Sequence, residues 1–234
     1  MLIFIICLVI ITALYFAAVY WGITNTRCDG KAKERQMRVA CVGDSITYGM
    51  MVKNWFANCY PKALGKLLGQ GYHVSNFGVN AHTAMQTGDR PYEKSKSFGA
   101  SLEYKPDIVL IMFGSNDSKP ENWRGSDEYK HQFTKLLDNY CSLPNNPRVI
   151  LVTPVDPYSK VVDGIETTTY NISKAQIREI CQVLKEIQLE RNLELIDMNL
   201  AAQDHRELFG NDGIHPNNNG AAYIAQVVYD YLSR

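Results

Sequence analysis

From Met37 onward the chain reads as an α/β protein, a three-layer α/β/α sandwich around a mainly parallel five-stranded sheet. Two observations lead there. Strand-like and helix-like patterns alternate along the chain, and such alternation builds parallel sheets covered by helices. Several of the strand-like runs are also apolar almost without interruption, as strands buried on both faces must be.

The elements follow in order. "MRVACVG", Met37–Gly43, is a short β-rich run that breaks into Gly-Asp-Ser. "YPKALGKLLGQ" places Ala63, Leu64, Leu67 and Leu68 at helical spacing. "YHVSNFGV" reads as a second strand. "PDIVLIMFG", Pro106–Gly114, is a third, nearly all apolar. "SDEYKHQFTKLLDNYC" reads as a helix with Ser126 as its N-cap. "RVILVTP" is a fourth strand. Tyr170–Arg191 reads as a long helix carrying Ile177, Ile180, Cys181, Leu184 and Ile187 on one face. "LELIDMN" is a fifth strand, and a last helix runs from about Asn218 to Leu232. Crossovers in such a sheet are right-handed.

Residues 1–23 contain no charged side chain, and about 20 apolar residues suffice to cross a bilayer as a helix. Tyr15, Tyr20 and Trp21 lie where an aromatic belt would sit. A membrane anchor is expected, or a signal segment if this stretch is cleaved, although a basic n-region and a small-x-small cleavage site are not clear. Residues 24–36 are a polar tether, and residues 37–234 form the folded domain. Arg27, Lys31, Lys33, Arg35 and Arg38 follow the span, which by charge alone would hold the domain inside the cell.

Composition is that of an ordinary globular protein, with 46% hydrophobic and 21% charged residues. Formal net charge is zero, so the basic footprint of a nucleic-acid binder is missing. The six cysteines show no C-x-x-C spacing and no zinc signature, and Cys41 falls inside the first strand as a small buried thiol.

Ligands of open α/β sheets bind beyond the carboxyl ends of the strands. The chain's polar motifs gather there: Gly43-Asp44-Ser45 after the first strand, Gly78 and Asn80 after the second, Gly114-Ser115-Asn116-Asp117 after the third, Thr153–Asp156 after the fourth, and Asp212 with His215 before the last helix. A serine needs a base before it is a useful nucleophile. His73, His131 and His205 read as solvated or helical residues. His82 follows Gly78 closely but has no partner at a telling spacing. His215, in "DGIHP", has Asp212 three residues earlier, a spacing that lets a carboxylate fold back onto the imidazole. Taken alone, this pair also reads as a turn before a helix cap.

"GDS", "NFGVN", "GSND" and "DGIHP", in that order from Val39 to His215, resemble the sequence blocks of the SGNH (GDSL-type) hydrolases. The resemblance implies a flavodoxin-like fold. It implies Ser45 as nucleophile, His215 as general base and then acid, and Asp212 as its orienter. Oxyanion donors would be the backbone N–H groups of Ser45 and Gly78 and the side-chain amide of Asn116. Asp44 and Asp117 would be structural. No cofactor or metal is implied, and G-x-S-x-G is absent.

The stretches "NFGVNAHTAMQTGDRPY" and "MFGSNDSKPENW" are further similar to bacterial carbohydrate O-acetylesterases of the sialate type. An acetyl ester on a sugar is then the expected substrate, with Asp89, Arg90, Tyr92, Asn122, Trp123 and Arg124 as loop residues that would bind it. A glycan substrate points to a bacterial envelope location facing outward, against the charge pattern. The alternatives are a lysophospholipase or acyl-thioesterase, a non-catalytic glycan-binding domain, and a metal phosphoesterase using His82, His205 and His215. The acyl group, the sugar and the oligomeric state are not legible.

Overall fold

The computed structural model describes residues 31–163 and 165–234, together with Ile10 and Thr12. The expected membrane span lies, apart from those two residues, outside the described residues. Among the described residues, no helix is long and apolar enough to cross a membrane. The tether is described from Lys31 on, and its last residue, Gln36, donates from its side chain to the carbonyls of Gln70 and Tyr72.

The chain opens with strand β1 (Met37–Gly43), short helices α1 (Ser45–Tyr48) and α2 (Trp55–Asn58), helix α3 (Tyr60–Leu68) and strand β2 (Tyr72–Gly78). Helix α4 (Lys96–Glu103), strand β3 (Ile108–Met112), helix α5 (Ser126–Cys141) and strand β4 (Arg148–Val152) follow. A small hairpin, β5 (Lys160–Val162) and β6 (Ile165–Thr167), precedes helix α6 (Lys174–Arg191). Strand β7 (Glu194–Ile196), helix α7 (Met198–Ala201) and helix α8 (Asn218–Leu232) complete it.

The main sheet has the order β2-β1-β3-β4-β7, with every neighbouring pair parallel. This is the five-stranded parallel sheet expected. Side chains alternate across it, so each strand feeds two cores. Val39, Cys41, Leu110, Met112, Ile150 and Val152 pack with Tyr60 and Leu64 of α3 and Ile224 and Val228 of α8. Ala40, Val42, Val109, Ile111 and Leu151 pack with Phe133 and Leu137 of α5 and Ile180, Leu184 and Ile187 of α6. The helical layer on each side follows from that alternation.

Strand order reverses between β1 and β3, and the crevice beyond their carboxyl ends is where this architecture places ligands. Gly43 makes the turn out of β1 possible. A Cβ there would lie 2.2 Å from Thr47 Oγ1 and 2.6 Å from the Met112 carbonyl oxygen, so only glycine lets α1 start this close to the sheet.

Two expectations are corrected. Ser126 is the first residue of α5 and not its cap; Gly125 holds the cap position and Ser126 Oγ donates to Glu179 instead. Helix α6 begins at Lys174, capped by Ser173, because Tyr170 and Asn171 have φ of 59° and 56°, which a right-handed helix cannot contain. Helix α4 and the hairpin were not expected at all.

Candidate active site

Asp44 is the N-cap of α1, and its Oδ1 accepts the Ile46 N–H at 2.9 Å. Ser45 is therefore the first helical residue, and its own N–H makes no hydrogen bond to the described chain. From 170 positions further on, the loop before α8 brings His215 to it. Ser45 Oγ and His215 Nε2 are 2.8 Å apart. His215 Nδ1 lies 2.6 Å from Asp212 Oδ2. Asp212 Oδ1 accepts the N–H groups of Ile214 at 3.0 Å and His215 at 3.1 Å. Ser45, Asp212 and His215 are only 8%, 8% and 6% exposed.

Burial works against ionisation of Asp212, but the imidazole and the two backbone N–H groups outweigh it, and its pKa lies below the usual carboxylate value. A carboxylate only accepts, so Nδ1 carries the proton and Nε2 offers its lone pair to the serine hydroxyl. This tautomer is the one a base needs. The loop itself is closed by Gly210 N–H donating to the His215 carbonyl at 2.8 Å and by Thr169 Oγ1 donating to the Asp212 carbonyl at 2.7 Å.

Asn116 is buried beyond β3, and its Nδ2 donates to the His82 carbonyl at 3.1 Å. Gly78 departs from expectation. Its N–H is donated to Asn76 Oδ1 at 2.9 Å, so the fold already uses it. Its glycine requirement is steric, since a Cβ would lie 2.2 Å from the Tyr48 nitrogen. Three residues on, Ala81 stands in the left-handed region at φ 62°, and its N–H makes no hydrogen bond to the described chain. It immediately precedes the residue whose carbonyl Asn116 holds. A non-glycine residue at positive φ next to a strand-end motif is a feature that sequence does not display.

Asp44 and Asp117 sit behind the serine as a buried acidic pair. Desolvation pushes Asp44 up to about 7, with Asp117 adding to the rise and the Ile46 N–H opposing it. Desolvation likewise pushes Asp117 up to about 6, against the N–H of Met85, which donates to its Oδ1 at 2.9 Å.

The expected sugar-binding residues divide. Asp89 and Arg90 are exposed, and Arg124 is exposed with its guanidinium on the Trp123 and Glu121 carbonyls. Asp89 and Asn122 bond reciprocally, the Asp89 N–H to Asn122 Oδ1 at 2.8 Å and Asn122 Nδ2 to Asp89 Oδ1 at 2.9 Å. Asn122 also donates to the Asn116 carbonyl, so it braces the Asn116 loop from within and is itself buried. Trp123 is half-buried against Tyr129. Tyr92 is corrected outright: it is 0% exposed, and its hydroxyl donates to the Phe77 carbonyl at 2.9 Å, so it belongs to the core. His205 pairs with Glu207 on the surface, and half-buried His82 is held by the Asn80 carbonyl. Among the described residues, no group of three or more His, Cys, Asp or Glu side chains is placed to hold a metal ion. One aromatic residue was missed. Tyr170, 55% exposed, sets its ring 6.0 Å from that of His215.

A serine hydrogen-bonded to an imidazole, itself held by a buried carboxylate at the switch point of a parallel sheet, has the parts of an acyl-transfer site. Residues 41–223 match the model of the GDSL-like Lipase/Acylhydrolase family, and the chain belongs to that family. It is 32% identical over 214 residues, 84% of its length, to an acetylxylan esterase of Xylanibacter ruminicola, covering 43% of that protein. It is 29% identical over 119 residues to a multidomain esterase of Ruminococcus flavefaciens, covering 50% of this chain and 14% of that one. The chain thus spans less than half the length of these curated relatives. Its fold is similar to Est24, a carbohydrate acetylesterase of Sinorhizobium meliloti, at a TM-score of 0.70 and 21% identity, covering 85% of this chain and 99% of the other. It is also similar to an aryl esterase of M. smegmatis, at a TM-score of 0.69 and 17% identity, covering 84% and 98%.

Proposed function

We propose that the protein removes acetyl groups from a carbohydrate by a Ser-His-Asp mechanism through an acetyl-enzyme. The observation that carries this is the unbroken chain of hydrogen bonds from Ser45 through His215 to Asp212. The similarity to an acetylxylan esterase supports an acetylated polysaccharide of the xylan kind as substrate.

Ser45 Oγ attacks the acetyl carbonyl carbon while His215 Nε2 takes its proton, and Asp212 stabilises the imidazolium that forms. The negative charge that develops on the carbonyl oxygen meets the Ser45 N–H and the Asn116 amide. The backbone donor expected from Gly78 falls instead to Ala81, whose N–H is uncommitted. The C–O bond then breaks, His215 returns the proton to the sugar oxygen, and the acetyl group remains on Ser45. Water, deprotonated by His215, releases acetate and restores the serine. A polysaccharide of this kind lies outside the cell, so residues 1–23 would hold the domain at the envelope, or export it if they are cleaved.

The test is acetate release from acetylated xylooligosaccharides by the full chain and by Ser45→Ala. The wild type should release acetate and the variant should retain its fold but lose nearly all turnover. Equal rates in the two would refute the mechanism, and activity confined to long-chain acyl esters would refute the substrate.

A further inference from the structure

Tyr170 is the large aromatic side chain that the fold leaves in the open beside the imidazole. Single exposed apolar residues are ordinary, but this one differs in how it is held. Its backbone lies at φ 59° and ψ 22°, and Asn171 follows at φ 56°, two consecutive residues in a region that non-glycine residues seldom enter. The segment around them is fastened on both sides. Thr169 Oγ1 donates to the carbonyl of Asp212, and Thr168 Oγ1 donates to the carbonyl of Ile172 at 2.6 Å. Ile172 is buried in a small cluster with Ile177, Cys181 and Ile214, the last being the neighbour of His215. Tyr170 is thus carried by the same local structure that holds the acid and the base. Its ring meets the imidazole at 68°, and more than half of the residue's surface stays open.

We propose that Tyr170 is the leaving-group subsite, a platform on which the sugar ring rests while its acetyl group is transferred to Ser45. The proposal rests on the carbohydrate acetylesterase reading and extends it. The leaving oxygen takes its proton from His215 Nε2, so it must come within hydrogen-bond reach of that atom. Whatever the oxygen is attached to then lies beside the imidazole, where Tyr170 stands. An aromatic ring gives the C–H face of a pyranose a rigid apolar surface, and the phenol hydroxyl gives its rim a hydrogen-bonding partner. The methyl of the acetyl group points away from the leaving oxygen, so Tyr170 discriminates among alcohols and not among acyl groups. Its role is positioning: it makes no bond to the reacting atoms.

The experiment compares the full chain with Tyr170→Ala, Tyr170→Phe and Tyr170→Trp on two substrates, an acetylated xylooligosaccharide and ethyl acetate, whose ethyl group is too small to reach the platform. Melting temperature is measured on the same preparations. Tyr170→Ala should raise KM for the oligosaccharide ester by about tenfold, leave kcat/KM for ethyl acetate within about twofold, and melt with the wild type. Tyr170→Phe and Tyr170→Trp should restore most of the loss. An equal effect of Tyr170→Ala on both substrates, or none on either, would overturn the subsite. A wild type that hydrolyses ethyl acetate but no acetylated sugar would instead overturn the carbohydrate reading beneath it.

Discussion

Asp44→Asn should make the protein more stable at neutral pH, by an amount that depends on pH in a calculable way. In the folded protein, burial keeps the Asp44 carboxyl protonated up to about pH 7, against an ordinary value of 3.8. Between those two values the folded chain holds a proton that the unfolded chain has released. Stability therefore falls as pH rises through this window, by about 1.4 kcal/mol per pH unit. Three units make about 4 kcal/mol, a contribution present below pH 4 and gone by about pH 7. Asparagine keeps the oxygen that accepts the Ile46 N–H and has no charge to desolvate. The variant should gain on the wild type steadily from pH 4 to pH 7, and the gap should then level off. At about 2–4 °C per kcal/mol for a protein of this size, the gap at pH 8 corresponds to roughly 10 °C. Thermal melting of both proteins by circular dichroism at intervals from pH 4 to pH 8 measures it. Titrating groups remote from Asp44 act alike in both proteins and cancel in the difference, whereas Asp117, which helps to raise Asp44, loses a like-charged neighbour in the variant and adds its own change over the same range. Melting curves that stay parallel across the range would show that the Asp44 carboxyl is not held protonated by its surroundings.

Asn116→Ala removes one amide donor beside the proposed oxyanion and should lower kcat by about 10²–10³ with KM little changed; a kcat within a few-fold of wild type, measured by acetate release, would withdraw that role. Gly78→Ala keeps the backbone N–H but sets a methyl group 2.2 Å from the Tyr48 nitrogen, so it should lower stability by about 1–3 kcal/mol or more in urea denaturation. An unchanged midpoint would mean that the contact between β2 and α1 can yield.

The frame of the molecule was legible because burial on both faces writes itself plainly. Met37–Gly43 is a strand to its exact residues, since an apolar run ended by Gly-Asp-Ser has few other uses. The last helix likewise runs from Asn218 to Leu232, where Ile224 and Val228 recur at helical spacing. Helix α4 was hidden because it is short and carries Gly99 in its middle, although Ser95, which accepts the Phe98 N–H, offered a capping signal. The hairpin β5–β6 escaped because strands of three residues show no period. In the site, Ser45, Asp212 and His215 were found through the resemblance of their ordered blocks to the SGNH hydrolases, and the structure brings them together. Gly78 and Ala81 could not be told apart that way. Which N–H is spoken for depends on the Asn76 side chain, and positive φ at an alanine leaves no mark in sequence. Tyr92 looks like a loop aromatic and Tyr170 like the start of the long helix, and only packing separates the core residue from the exposed one.

The chain between β4 and α6 adds no strand to the main sheet, yet it carries Tyr170 to the imidazole and is fastened to the loop of the acid and base by the Tyr158 N–H on the Gly213 carbonyl, by Thr169 on the Asp212 carbonyl and by the Ile172 cluster. The surface proposed to receive the alcohol and the loop that carries the acid and the base are therefore fastened to each other, although they come from different stretches of chain. Descendants of such a gene could vary this segment around Tyr170 and alter which acetylated alcohol is accepted, with the sheet and the nucleophile's turn inherited untouched, provided that the contacts to Asp212 and Gly213 are kept.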